Sequence, residues 1–171
     1  MPLTPTQKLH VRQAIADYCK RAEANRLRWH YTQQRPFTGY GVAPDAYHAA
    51  DCSGYCALAF DWAARKADVH IHSPLDAQPG WGFTGSQYAY LKAHPAPKDK
   101  YLVGDMAIFG TASNTVHTSI CRKAGTAATS VFSSNGHESW SFGSDAPNPI
   151  TLADEAAAQR LLGVYRHPAL L

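Results

Sequence analysis

Asp51-Cys52-Ser53-Gly54-Tyr55-Cys56-Ala57-Leu58-Ala59-Phe60 is the stretch on which the fold turns. Apolar residues at Cys56, Ala59, Phe60, Ala63 and Ala64 recur at helical spacing and give the segment a buried face. Asp51 is a good N-cap, because its side-chain oxygen can accept from the free backbone N–H groups of the first turn. Cys52 then stands at the helix start, where the positive end of the helix dipole favours thiolate over thiol. A thiolate with a base in reach is the nucleophile of cysteine catalysis. A lone cysteine in such a place is more often a small buried hydrophobe, so the reading of Cys52 depends on what else the chain carries.

Further along comes Gly104-Asp105-Met106-Ala107-Ile108-Phe109-Gly110, which reads as a turn opening a short buried strand that ends at Gly110. Next, Val116, Thr118 and Ile120 alternate with His117, Ser119 and Cys121, the period of a strand. His117 is therefore expected on the face opposite the aliphatic side chains. A strand can hold an imidazole with one ring nitrogen toward a thiol and the other toward an orienting group. The chain has nine histidines, and most fit an ordinary surface or core role.

Taken together, Asp-Cys-Ser-Gly-aromatic at a helix start, Gly-Asp-x-x-x-Phe-Gly, and His-x-x-Ile on the next strand resemble the NlpC-type cysteine peptidases. The later stretches Val131-Phe132-Ser133-Ser134-Asn135-Gly136-His137-Glu138 and Asp154-Glu155-Ala156-Ala157-Ala158-Gln159-Arg160 look like the amino-terminal peptidase domain of endolysins from phages of actinobacteria. The likeness runs over roughly residues 45 to 167. It implies a papain-like α+β fold, Cys52 as nucleophile and His117 as general base and acid. It also implies bacterial peptidoglycan as the partner, with stem or cross-bridge peptides as substrate.

The group that orients His117 is expected from the strand or loop that follows. A hairpin from Val116 to Asn135, turning around Ala124-Gly125-Thr126, returns the chain to His117. Phage lysins of this kind tend to show Ser-x-Gly-x-Glu here, which Ser134-Asn135-Gly136-His137-Glu138 fits. Glu138 is the first candidate and Asn135 the second. His137 suits other NlpC-type enzymes by residue type, but it lies too far along the chain from His117. The oxyanion would be met by the backbone N–H of Cys52, with Tyr47 or His48 as the source of a second donor. Asp51, Ser53, Tyr47 and Trp81 complete the candidate oxyanion and substrate contacts.

Composition agrees with one catalytic domain spanning residues 1–171, alone or as part of a longer modular lysin. Hydrophobic residues make up 45% and charged residues 17%, which excludes a disordered or coiled-coil chain. No apolar run approaches the roughly 18 residues of a membrane span. A net charge of +3 suits an anionic wall but is too mild to imply nucleic acid. Met1-Pro2-Leu3-Thr4-Pro5 lacks the basic-then-apolar pattern of a secretory signal. The resemblance then implies a protein made in the host cytoplasm that acts on the wall after release, as a monomer. Four cysteines, at 19, 52, 56 and 121, are too few for a disulfide scaffold, and all but Cys52 read as core. His70-Ile71-His72 lacks further ligands, so neither metal nor cofactor is expected. Gly80-Trp81-Gly82-Phe83-Thr84-Gly85 follows no strand and is no phosphate loop.

The remaining elements fall in order. Thr4-Pro5-Thr6-Gln7 is a capping box with Pro at the first position, opening a helix with Val11, Ala14, Ile15, Tyr18, Cys19 and Ala22 on one side. Aperiodic loops run from Arg35 to Ala50 and from Ser73 to Gly85, followed by a short helix from about Ser86 to His94. Strands are expected at Met106–Phe109, Val116–Arg122, Ser130–Ser134 and Leu161–Arg166. Helices first and an antiparallel sheet afterwards make an α+β pattern. Two other functions remain open: a CHAP-like amidase cutting between muramic acid and the first stem residue, and a wall-binding domain without catalysis.

Overall fold

The computed structural model describes residues 2–34, 37, 39–71, 83–136 and 146–171. Helix α1 (Pro5–Ala24) opens with the expected capping box: the Thr4 hydroxyl accepts from the Gln7 N–H at 3.2 Å, and Gln7 Oε1 accepts from the Thr4 N–H at 2.9 Å. Its buried stripe is Val11, Ile15, Tyr18, Cys19 and Ala22, while Ala14 is only partly buried.

Two three-residue strands, β1 (Trp29–Tyr31) and β2 (His48–Ala50), pair in parallel where the sequence suggests only loop. Aromatic packing holds the pair. Trp29 stacks flat on His48 with ring centroids 4.2 Å apart, meets Tyr55 edge-on at 5.2 Å, and donates its indole N–H to the Pro44 carbonyl at 3.1 Å.

Helix α2 (Cys52–Lys66) follows at once, capped by Asp51 Oδ1, which accepts from the Gly54 N–H at 2.8 Å. Every residue from Cys52 to Ala64 is buried, so the helix is covered all round rather than on one face. The reason is its central place: α1, the sheet and helix α3 (Thr84–Leu91) all pack on it. Tyr18 of α1 meets Tyr55 and Trp62 of α2 at 5.9 and 6.3 Å. Helix α3 starts two residues before its expected position and stops three short of it.

The sheet has five strands: β3 (Met106–Thr111), β4 (Asn114–Lys123), β5 (Val131–Ser134), β6 (Asn148–Thr151) and β7 (Leu161–Tyr165). They run antiparallel in the order β6-β5-β4-β3-β7. The fold is α+β, with a small antiparallel sheet. Strand β6 and the short helix α4 (Leu152–Ala158) are additions to the expected elements. Met106, Ile108 and Ile120 join the core beneath α1 and α2, whereas Ala107, Phe109, Cys121 and Phe132 pack with Leu152 of α4. Both faces of the central strands are therefore dry. Cys19, Cys56 and Cys121 are free and buried, as expected.

The block from Gly104 to Gly110 has a structural explanation. Gly104 has φ +90°, and a Cβ there would lie 2.9 Å from Leu170 Cδ1 and 3.1 Å from Ile15 Cδ1. Asp105, fully buried, accepts from the Leu102 N–H at 2.8 Å and takes two 2.7 Å bonds from the Arg166 guanidinium. Gly110 has φ +111°, and a Cβ would meet the Asn114 carbonyl at 2.4 Å. These residues fix the two ends of β3 and so set where β4 begins. Among the described residues no helix is long and apolar enough to cross a membrane.

Candidate active site

The site forms where the start of α2 meets β4, under α4 and beside α3. Opposite Gly110 the β3–β4 ladder slips: Phe109 pairs with His117 and Gly110 with Thr115, leaving Val116 without a partner. This is a β-bulge, a device that re-aims side chains at functional sites. Val116 is expected with the aliphatic face but is instead turned out, 37% exposed. His117, next in the chain, is 2% exposed and packs against Phe109 with ring centroids 5.7 Å apart.

His117 Nε2 donates to Glu155 Oε1 at 3.1 Å. Ser119, two residues on and on the same strand face, donates its hydroxyl to Glu155 Oε2 at 2.7 Å. Both carboxylate oxygens are thereby taken up, and the ring is held with Nδ1 left for the Cys52 thiol. Burial alone would make His117 harder to protonate. The charge of Cys52 and its hydrogen bond to the ring, followed by the hydrogen bond and charge of Glu155, outweigh that and raise the imidazole to about 10. The arrangement raises the ring's affinity for a proton, as a base that takes one from a thiol requires.

Cys52 is 6% exposed, and its sulfur lies 3.9 Å from the Thr84 hydroxyl of α3. Helix α2 that carries it is tied down on several sides. Tyr55 shares a 2.8 Å hydrogen bond with Ser133 of β5, and Gln87 of α3 donates to the Ser53 carbonyl at 2.9 Å. Cys56, one turn on, is kept protonated by burial and then by the charge of Cys52, so it does not compete as a nucleophile. The backbone N–H of Cys52, first in its helix, has no intrahelical acceptor.

The other sequence candidates fall as follows. Glu138 and Trp81 lie outside the described residues. Asn135, the second candidate for orienting His117, has its Nδ2 engaged elsewhere, donating to the Ala50 carbonyl at 2.8 Å and the His30 carbonyl at 3.3 Å. Its Oδ1 is buried without a hydrogen-bond partner among the described residues, and the His117 Nε2 bond goes to Glu155. Asn135 pins the β1–β2 pair to the end of β5, just ahead of Asp51. Asp51 and Ser53 are bonded to each other, the Ser53 hydroxyl donating to Asp51 Oδ1 at 2.8 Å. His48 is fully buried on Trp29 with Nε2 2.9 Å from the Ala43 carbonyl, which makes it a packing residue. Tyr47 is 61% exposed against His30 and remains open to solvent.

Glu155 is the site residue that the sequence does not single out. It sits on α4, whose cap is Thr151 accepting from the Asp154 N–H at 3.1 Å. A signal did exist: Leu152 and Glu155 lie three apart, so a helix from Leu152 puts the carboxylate on the same face as a core leucine. Both are buried. A buried glutamate on an apolar face calls for a partner.

Among the described residues no group of His, Cys, Asp and Glu is placed to hold a metal. In comparisons with known proteins, no family model and no curated protein matches the chain.

Proposed function

We propose that the protein is a thiol hydrolase of the NlpC-type, papain-like kind, an endopeptidase acting on the stem or cross-bridge peptides of bacterial peptidoglycan, in the manner of a phage endolysin domain. The observation that carries the chemistry is the Cys52–His117–Glu155 chain at a helix start, with the imidazole's proton affinity raised by thiol and carboxylate together. The substrate class rests on the sequence resemblance.

In this reading His117 Nδ1 takes the proton of Cys52, and the sulfur attacks the scissile carbonyl carbon. Negative charge collects on the carbonyl oxygen, facing the Cys52 N–H. His117 returns the proton to the leaving amine as the C–N bond breaks, and a thioester remains. Water then attacks the thioester, giving a proton to His117, and collapse expels Cys52 as the carboxylic acid is released. Glu155 keeps the ring in the tautomer that presents Nδ1 to sulfur and balances the imidazolium charge.

The test is digestion of purified actinobacterial peptidoglycan by the protein and by Cys52→Ala, with products read by mass spectrometry. New amino groups on stem or bridge residues, absent with Cys52→Ala, are expected. Release of the whole stem from the glycan would make the enzyme an amidase. Wall binding with no new ends would leave a non-catalytic module.

A further inference from the structure

Helix α3 is held against the nucleophile by its own buried face. Thr84, Gln87 and Leu91 recur at three and four residues and are all buried. Gln87 is fully buried and anchors the helix through its bond to the carbonyl of Ser53, the residue next to Cys52. That anchor fixes Thr84, one turn earlier, with its hydroxyl 3.9 Å from Cys52 Sγ. The backbone turn at Phe83 is closed separately: the Phe83 N–H donates to Ser86 Oγ at 3.2 Å, and the Ser86 hydroxyl donates to the Phe83 carbonyl at 2.9 Å. Thr84 thus has no capping duty in its helix, and its hydroxyl faces the sulfur.

We propose that Thr84 is a further catalytic residue, whose hydroxyl donates a hydrogen bond to the Cys52 thiolate. At 3.9 Å the contact is long for a neutral thiol, and it leaves the hydroxyl free to close on sulfur once charge develops there. The positive ends of two helices, α2 and α3, then flank the same anion. The proposal rests on Cys52 being the nucleophile and is independent of the bond the enzyme cuts.

The experiment measures the rate of Cys52 alkylation by iodoacetamide from pH 5 to 10, without wall substrate, in the wild type, Thr84→Val and Thr84→Ser, with labelled positions read by mass spectrometry. Thr84→Val keeps the shape and loses the hydroxyl. Its profile should move to higher pH by about one unit, a tenfold loss of rate near neutrality, with the high-pH plateau retained. Thr84→Ser should restore the wild-type midpoint. A superimposable Thr84→Val profile, or a Thr84→Ser profile displaced as far as that of Val, overturns the proposal while leaving the nucleophile in place. Slow, equal labelling of all four cysteines in the wild type would refute the nucleophile itself and this proposal with it. Circular dichroism checks the fold, and Thr84→Ala serves in the same titration if Thr84→Val does not fold.

Discussion

Glu155→Gln keeps the shape of the side chain and removes its charge. In the wild type Oε1 accepts from His117 Nε2 at 3.1 Å and Oε2 accepts from the Ser119 hydroxyl at 2.7 Å. Ser119 still needs an acceptor, so the glutamine oxygen goes to Ser119 and its NH2 group turns toward His117. That NH2 group is a donor, and it selects the tautomer with its proton on Nδ1, the one that cannot take a proton from Cys52. A loss of up to about 10⁴ in kcat follows, the scale seen when a triad carboxylate becomes an amide. A charge-assisted hydrogen bond is worth roughly 1.5–3 kcal/mol. At 1.36 kcal/mol per unit, its loss lowers the imidazolium by about one to two units. Loss of the His117 proton removes the donor to the leaving amine, so activity falls as pH rises through about 10 in the wild type. In Glu155→Gln the alkaline limb should therefore move down by that one to two units. The assay is kcat and kcat/KM on a soluble stem peptide from pH 5 to 11. A variant within threefold of wild type, with its alkaline limb unmoved, would refute the role given to Glu155.

Asn135→Ala removes the donor to the Ala50 carbonyl and should lower stability by about 1–3 kcal/mol, as for a buried group left unpaired; urea unfolding that matches the wild type would remove the clamp from the account. Its kcat should fall far less than that of Glu155→Gln on the same substrate. Asp105→Ala strands Arg166 at the base of β3 and should cost about 3–5 kcal/mol, the scale of a broken buried pair, measured by denaturant midpoint. His167 is held down to about 4, mainly by burial and then by the charge of His94, from an ordinary 6.5. The unfolded chain thus binds the extra proton between those values, and the stability His167 contributes is full above pH 6.5 and lost toward pH 4. The loss is up to about 3 kcal/mol. Unfolding free energies of the wild type and His167→Asn, compared from pH 7 to 4, should show the wild type with the steeper decline; parallel curves would exclude His167 as a source of acid lability.

The helix caps at Thr4 and Asp51, α1, α2 and the strands that build the sheet's centre were legible in the sequence because each is specified locally. Thr4 and Gln7, or Asp51 and Gly54, meet within one turn, and helical or strand period marks the rest. The places of Cys52 and His117 were legible for the same reason: Cys52 sits on a capped helix start and His117 on an alternating strand. The β1–β2 pair was not, since three residues carry no period and its order comes from Trp29 stacking on His48 and from Asn135 far along the chain. Neither was the bulge at Val116, which follows from the turn at Gly110 and reverses where a simple alternation would place that side chain. The tertiary structure alone joined Glu155 to His117, 38 residues away. The one local signal in this seven-residue helix, Glu155 three residues after the core Leu152, names no partner. The carboxylate acquires a role only when the sheet brings β4 beneath α4 and water is excluded from between them.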